Sequence, residues 1–137
     1  MINNKDILYI KQGNRETIIY TSNKKQVLQE SIYKLLDKWC LESLTTYEGR
    51  IEAIKKIYHI KKLVPIYINK DLMLFPIDNR KAIENIYINV TKILELCDIN
   101  NKTKIVFKNK DSIIIDKKYQ LINNYYQRCL NIYYLIK

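Results

Sequence analysis

The chain is poor in the residues that build catalytic centres and in those that punctuate a fold. It has one histidine, His59, three cysteines, two glycines, two prolines and one tryptophan. Cys40, Cys97 and Cys129 are odd in number and widely spaced, so they make neither a disulfide framework nor a C-x-x-C metal or redox motif. A single histidine with scattered cysteines argues against a Cys/His zinc site, and no metal or other cofactor is expected. His59 falls on the outer side of an expected helix, which suits a solvated residue better than a general base. It stands too far from Arg50 to match the arginine-histidine spacing of helical ribonuclease toxins. Glu48 and Glu52 read as a capping residue and a solvated residue, not as an acid-base pair. No P-loop or G-x-G-x-x-G occurs, so no glycine loop supports nucleotide use and no small-molecule substrate is expected. The reading is of a protein that is not an enzyme.

Long hydrophobic runs are missing as well. No window approaches the ~18 apolar residues of a membrane span, and no leader pattern opens the chain. The expectation is a cytoplasmic protein, away from the membrane, with reduced thiols. Its 137 residues suit one domain spanning 1–137, which buries ~65–70% of the surface its unfolded chain exposes.

Negative charge is in short supply. Lys and Arg number 24 against 14 Asp and Glu, a net charge of +10. Fixed positive charge of this size concentrates polyanions at the surface, and nucleic acid is the default partner. Codons rich in A and T would explain many lysines, but they would raise glutamate too. The imbalance therefore needs its own reason.

Ile7–Ile10 and Thr17–Tyr20 are β-branched and aromatic runs on either side of a turn-rich segment, which reads as a hairpin. Asn23 and Gln26 resemble a capping box. Leu28, Ile32, Leu35, Leu36 and Trp39 then recur at helical spacing, so a helix is expected from Lys24 to Glu42, with Trp39 in the core. Thr45 and Glu48 form a second capping-box pattern, opening a helix from Thr46 to Ile60. Tyr47, Ile51, Ile54, Ile57 and Tyr58 would be its buried face.

Gly49 lies in the first turns of that helix, where glycine costs ~1 kcal/mol relative to alanine. The missing side chain would allow a close approach. One reading is a phosphate received by free N–H groups at the helix N-terminus at Thr45-Thr46, with Gly49 allowing the close approach. Arg50 borders the apolar side and is read in two ways, as a structural arginine on a carboxylate or carbonyl at the core edge, or as a ligand contact.

Leu63–Ile68 and Leu72–Pro76 flank Asn69-Lys70-Asp71 as a second hairpin, with Pro65 and Pro76 at strand ends or an edge. Ile86–Val90 is a further strand, followed by a less defined stretch through Cys97. Lys104–Phe107 and Ser112–Ile115 form a third hairpin. Asp116 would cap a last helix whose Ile122, Tyr125, Cys129, Ile132, Tyr133 and Ile136 make an apolar stripe. That stripe either closes over the sheet or, with Tyr126 and Tyr134 beside it, meets a second copy. The fold class is α+β, a mainly antiparallel sheet of hairpins with two central helices and a C-terminal helix.

Lysines gather in two places. Lys55, Lys56, Lys61 and Lys62 surround the end of the second helix, and Lys102, Lys104, Lys108, Lys110, Lys117 and Lys118 surround the late hairpin. Converging, they would make one cationic stripe.

The order Cys40, Tyr47-Glu48-Gly49-Arg50-Ile51-Glu52-Ala53, Val64-Pro65-Ile66, Leu74-Phe75-Pro76 and Ile86-Tyr87-Ile88 resembles the ComK family of bacterial competence transcription factors. The Lys104–Phe107 hairpin and the Tyr- and Arg-containing last helix continue the resemblance, which covers about Gln26 to Ile136. It implies a DNA-binding transcriptional activator that recognises paired A/T-rich boxes in double-stranded DNA through the minor groove and works as a homo-oligomer. The sequence departs from the family pattern in three places. Leu44-Thr45-Thr46 replaces a Gly-Ser-Ser-like lead-in, Asn85-Ile86-Tyr87 stands where tryptophan is frequent, and the sequence stops at Lys137 where longer relatives continue. The last departure bears on regulated proteolysis, oligomer size and activation.

The minor groove presents nearly the same acceptors for A-T and T-A, narrows in A-tracts, and is read by Arg, Lys and Asn. Arg50 would enter it or stiffen the segment that does, with the late lysines on phosphates. Two other classes remain beside this one: a truncated ComK-like interaction module that modulates a partner regulator, and an RNA-binding or toxin-type protein.

Overall fold

A computed structural model of the chain describes residues 3–136. Nine strands and three helices follow one another as β1 (Ile7–Gln12), β2 (Thr17–Thr21), β3 (Lys25–Leu28), α1 (Ile32–Leu41), α2 (Tyr47–Tyr58), β4 (Ile66–Asn69), β5 (Leu72–Pro76), β6 (Ile86–Asn89), β7 (Ile93–Ile99), β8 (Lys102–Phe107), β9 (Ser112–Ile115) and α3 (Tyr119–Ile136). The strands form two sheets. Six of them take the order β3-β2-β1-β6-β5-β4, and the other three the order β7-β8-β9. Every pairing is antiparallel. The α+β class and its C-terminal helix are as the sequence pattern implies.

The larger sheet is covered on both faces, which explains why β5 reads as a continuous apolar run without alternation. Leu72 and Leu74 join Ile7, Ile10, Ile66 and Tyr87 beneath Ile32, Leu35 and Leu36 of α1 and Tyr47 and Ile51 of α2. Met73 and Phe75 point the other way, into a core shared with Ile105 and Phe107 of β8 and Ile122, Cys129 and Ile132 of α3. Burying each such side chain fully is worth ~1.5–3 kcal/mol. Helix α2 serves both cores, since Tyr47 and Ile51 belong to the first and Ile54 to the second.

Two buried asparagines tie strand ends to neighbouring turns. Asn89 donates from Nδ2 to the carbonyls of Ile7 and Asp71, and its Oδ1 accepts from the N–H groups of Met73 and Thr91. Asn85 does the same for the 77–85 loop, accepting from the N–H of Asp78 and donating to the carbonyls of Asp78 and Asn79.

Four local expectations are corrected. Lys25–Leu28 is a strand, not the start of a helix, because β2 offers an open edge with which it pairs. The helix begins at Ile32, where the Ser31 hydroxyl accepts from the Lys34 N–H, and not at the Asn23–Gln26 capping pattern. The cap of α2 is Thr46, whose hydroxyl accepts the Gly49 N–H at 2.9 Å, so Thr45 and Glu48 do not form a capping box. Helix α3 starts at Tyr119, which leaves Lys118, not Asp116, ahead of its first turn.

Helix α2 ends at Tyr58, with His59 in the left-handed conformation at φ 57°. Ile57, expected in the buried face, is 64% exposed, while Tyr47, Ile51 and Ile54 are the buried residues of the helix. Trp39 is half-buried against the first core. The hairpin at β7 and β8 was the least legible part of the sheet. Its turn is Asn100-Asn101, both at positive φ, the conformation a two-residue hairpin turn needs and asparagine tolerates.

Candidate nucleic-acid interface

One face of α2, the segment after it and the loop between β5 and β6 line a cleft of about 230 Å³. Lys55, Lys61, Lys62 and Arg80 line it, together with Tyr47 and Tyr87, and no carboxylate is among its lining residues. Three of the expected lysines are thus brought together. Lys56 lies on the adjoining face with His59 and Lys61.

Arg80 was not anticipated. It sits in a loop without periodic signal, and only tertiary packing carries it to the cleft. Its guanidinium lies 4.6 Å from the ring centre of Tyr33 and 5.4 Å from that of Tyr47, and its Nη2 donates to Glu48 Oε1 at 2.9 Å. Stacking on two aromatic faces and a carboxylate contact fix the direction of the charge. Tyr33 OH donates to the Arg80 carbonyl at 2.9 Å and so holds the backbone as well. Burial pushes the Tyr47 phenol up to about 12 and raises that of Tyr87 further, so both hydroxyls keep their protons at neutral pH.

Arg50 is turned toward the protein. Its Nη1 donates to the carbonyls of Tyr67 and Ile68, the second at 3.1 Å. These carbonyls stand at the bulge between Tyr67 and Asn69 in the edge strand β4, where the ladder is interrupted. This is the structural arrangement of the two read from the sequence. Gly49 has its N–H taken by Thr46. A Cβ on Gly49 would lie 2.9 Å from that hydroxyl, so the close approach the glycine allows is the chain's own cap.

The late lysines are spread along β8. Lys102 and Lys108 lie at opposite ends of it, roughly 20 Å apart at ~3.3 Å per residue. Lys104 stands on the outer face of the three-stranded sheet, across from Cys97 and Ile114. Lys108 lies near Lys5 and Lys92, and Lys110 occupies the β8–β9 turn at φ 79°. Lys117 is joined to the loop of the cleft, donating to Asp78 Oδ2 at 2.9 Å. That hydrogen bond holds the Asp78 carboxyl below its ordinary pKa. Lys117 thus reaches the loop that also carries Arg80 of the cleft, while Lys108 lies with Lys5 and Lys92 in a different recess.

Among the described residues no three His, Cys, Asp or Glu side chains gather as a metal would need, and no helix is long and apolar enough to cross a membrane.

An α+β protein with a net charge of +10 and a cleft lined by cations and tyrosines is of the class that suits anionic partners. The family model described as ComK protein matches residues 1–137, and the chain belongs to the ComK family, whose members are competence-related transcription factors that bind DNA. No curated protein and no solved structure matches it.

Proposed function

We propose that the chain is a cytoplasmic transcriptional regulator that activates competence or DNA-uptake genes. Residues 1–137 act as one DNA-binding unit, work as a homo-oligomer, and recognise A/T-rich boxes through the minor groove. The family match over the whole chain carries this reading, and the cluster of Lys55, Lys61, Lys62 and Arg80, of which Lys55 and Arg80 are paired with Glu52 and Glu48, supports it. In this reading Lys55, Lys56, Lys61 and Lys62 neutralise phosphates on one side of the binding surface. Lys104, Lys108 and Lys110 neutralise them on another. Thr46, Gly49 and Arg50 set the position of α2 against β4, and with it the lysines at the end of the helix.

The test is binding of the purified protein to a duplex carrying paired A/T-rich boxes and to a G/C-rich duplex of equal length, with salt titrated in both. Tight, A/T-selective binding with a steep salt slope is expected, and each lysine-to-alanine change that removes a phosphate contact lowers the slope by ~1. Equal and weak binding to both duplexes would overturn the proposal.

A further inference from the structure

A sheet edge presents unpaired N–H and C=O groups to any strand that comes alongside, and folded proteins blunt such edges with charge, bulges, proline or a cover. Two open sheets have two edges each, here β3 and β4, and β7 and β9. Lys25 opens β3 and follows Lys24. Strand β4 comes directly after Pro65, is bulged between Tyr67 and Asn69, and has its Tyr67 and Ile68 carbonyls taken by Arg50. Strand β7 is bulged between Ile93 and Glu95 and exposes Glu95 and Asp98.

Strand β9 has none of these devices. Its residues are Ser112, Ile113, Ile114 and Ile115, without charge or proline, and its register with β8 is unbroken. Among the described residues no strand but β8 pairs with it, and no backbone hydrogen bond from a turn or loop covers its free side. Ile114 is 60% exposed. Strands β3 and β4 are no longer than β9 and still carry a blunting device, so shortness alone does not account for the difference.

Charge selects the occupant. At +10, a second copy of the chain is repelled from most of the surface. The β9 edge itself carries no charge, so two copies can meet there without opposing lysines. Antiparallel pairing of β9 with itself about a two-fold axis through Ile114 sets Ile114 of one copy against Ile114 of the other on the outer face. The same register sets Asp111 of each copy opposite Lys117 of the other, a favourable cross-strand pair.

We infer that β9 is the edge on which two copies of this chain join, strand to strand, making one continuous sheet of the two β7-β8-β9 sheets. The pairing rests on the homo-oligomeric reading proposed above and names its surface. A strand of this length spans about 13 Å at ~3.3 Å per residue, and pairing it alone buries less than the ~1,200–2,000 Å² of a stable interface. The dimer is therefore weak in free solution. It is strengthened when one duplex holds two copies side by side at high effective concentration.

The test is oxidative cross-linking of Ile114→Cys, made together with Cys97→Ser to remove the half-buried thiol on the same face, with and without a duplex carrying paired A/T-rich boxes. Opposed residues of an antiparallel pair have Cα atoms ~4.5–5.5 Å apart, within disulfide reach. A covalent dimer is expected in at least tenfold higher yield than from Ile57→Cys in the same background, a position of similar exposure on α2. Sedimentation velocity of the parent is expected to show a dimer that Ile114→Lys weakens at least tenfold and Val27→Lys, on β3, leaves unchanged. Circular dichroism checks that the variants keep the fold. Ile114→Lys should bind a duplex with a single A/T-rich box like the parent, which separates loss of pairing from loss of DNA binding. A dimer that survives Ile114→Lys, or a yield from Ile114→Cys no higher than from Ile57→Cys, would overturn the inference and leave the homo-oligomer standing. A chain that stays monomeric at every concentration and on DNA would overturn both.

Discussion

Arg128 Nη2 of α3 donates to the Leu63 carbonyl at 2.6 Å and to that of Lys62 at 3.3 Å, so the last helix holds the segment that carries Lys61 and Lys62. Leu63 has φ 52°, a left-handed conformation that costs a non-glycine residue of order 1 kcal/mol and persists only where neighbours hold it. The Nε of Arg128 is buried without a hydrogen-bond partner, a cost that the bonds from Nη2 offset.

Replacing Arg128 by Ala leaves both carbonyls unbonded and releases Leu63. Stability should fall by ~2–3 kcal/mol, read from urea unfolding. Affinity for duplex DNA should also fall several-fold at a salt concentration where the variant is fully folded. Arg128→Lys, a point charge without the planar fork, should recover only part of either loss.

Arg50→Ala tests the edge strand. Loss of the bonds to the Tyr67 and Ile68 carbonyls should cost ~2–3 kcal/mol in denaturant unfolding. Unchanged stability together with lost A/T preference would instead identify Arg50 as a reader of the groove.

Gly49→Ala should not give the ~1 kcal/mol gain expected of this change inside a helix. The new Cβ meets the Thr46 hydroxyl at 2.9 Å and pushes it off the Gly49 N–H. Thr46→Ala alone should cost ~1 kcal/mol. With the cap already removed, adding Gly49→Ala should be stabilising, so a thermal-unfolding double-mutant cycle should show the change of sign.

The Lys117–Asp78 pair makes stability depend on pH. Its hydrogen bond lowers the folded pKa of Asp78 below the ordinary carboxylate value, so its contribution is present above that unfolded value and is lost as pH falls through the folded one. Both side chains are about one-third exposed, which limits the effect to ~1 kcal/mol or less. Asp78→Asn should lower the melting temperature slightly at pH 7 and flatten its decline on acidification below about pH 4.

Periodicity and turn chemistry carried much of this fold. The first hairpin, the β4–β5 hairpin around Asn69-Lys70-Asp71, the β8–β9 hairpin and the stripe of α3 were readable because each signal lies within a few residues. Lys25–Leu28 was not, because its pattern suits a helix and only the open edge of β2 makes it a strand. The caps of α2 and α3 were each misplaced because several polar residues compete for one cap position, and packing of the helix decides among them.

The sequence by itself determined the surplus of positive charge, the family and most of the segments that become strands and helices, Lys25–Leu28 excepted, because composition and local spacing need no partner. Tertiary structure decided what Arg50 and Arg80 touch. Their distances to Ile68 and Glu48 span 18 and 32 positions of the chain, and no local rule relates residues so far apart. It also placed Lys61 and Lys62 in one recess and Lys108 in another, because segments far apart in the chain line each recess only once it is folded.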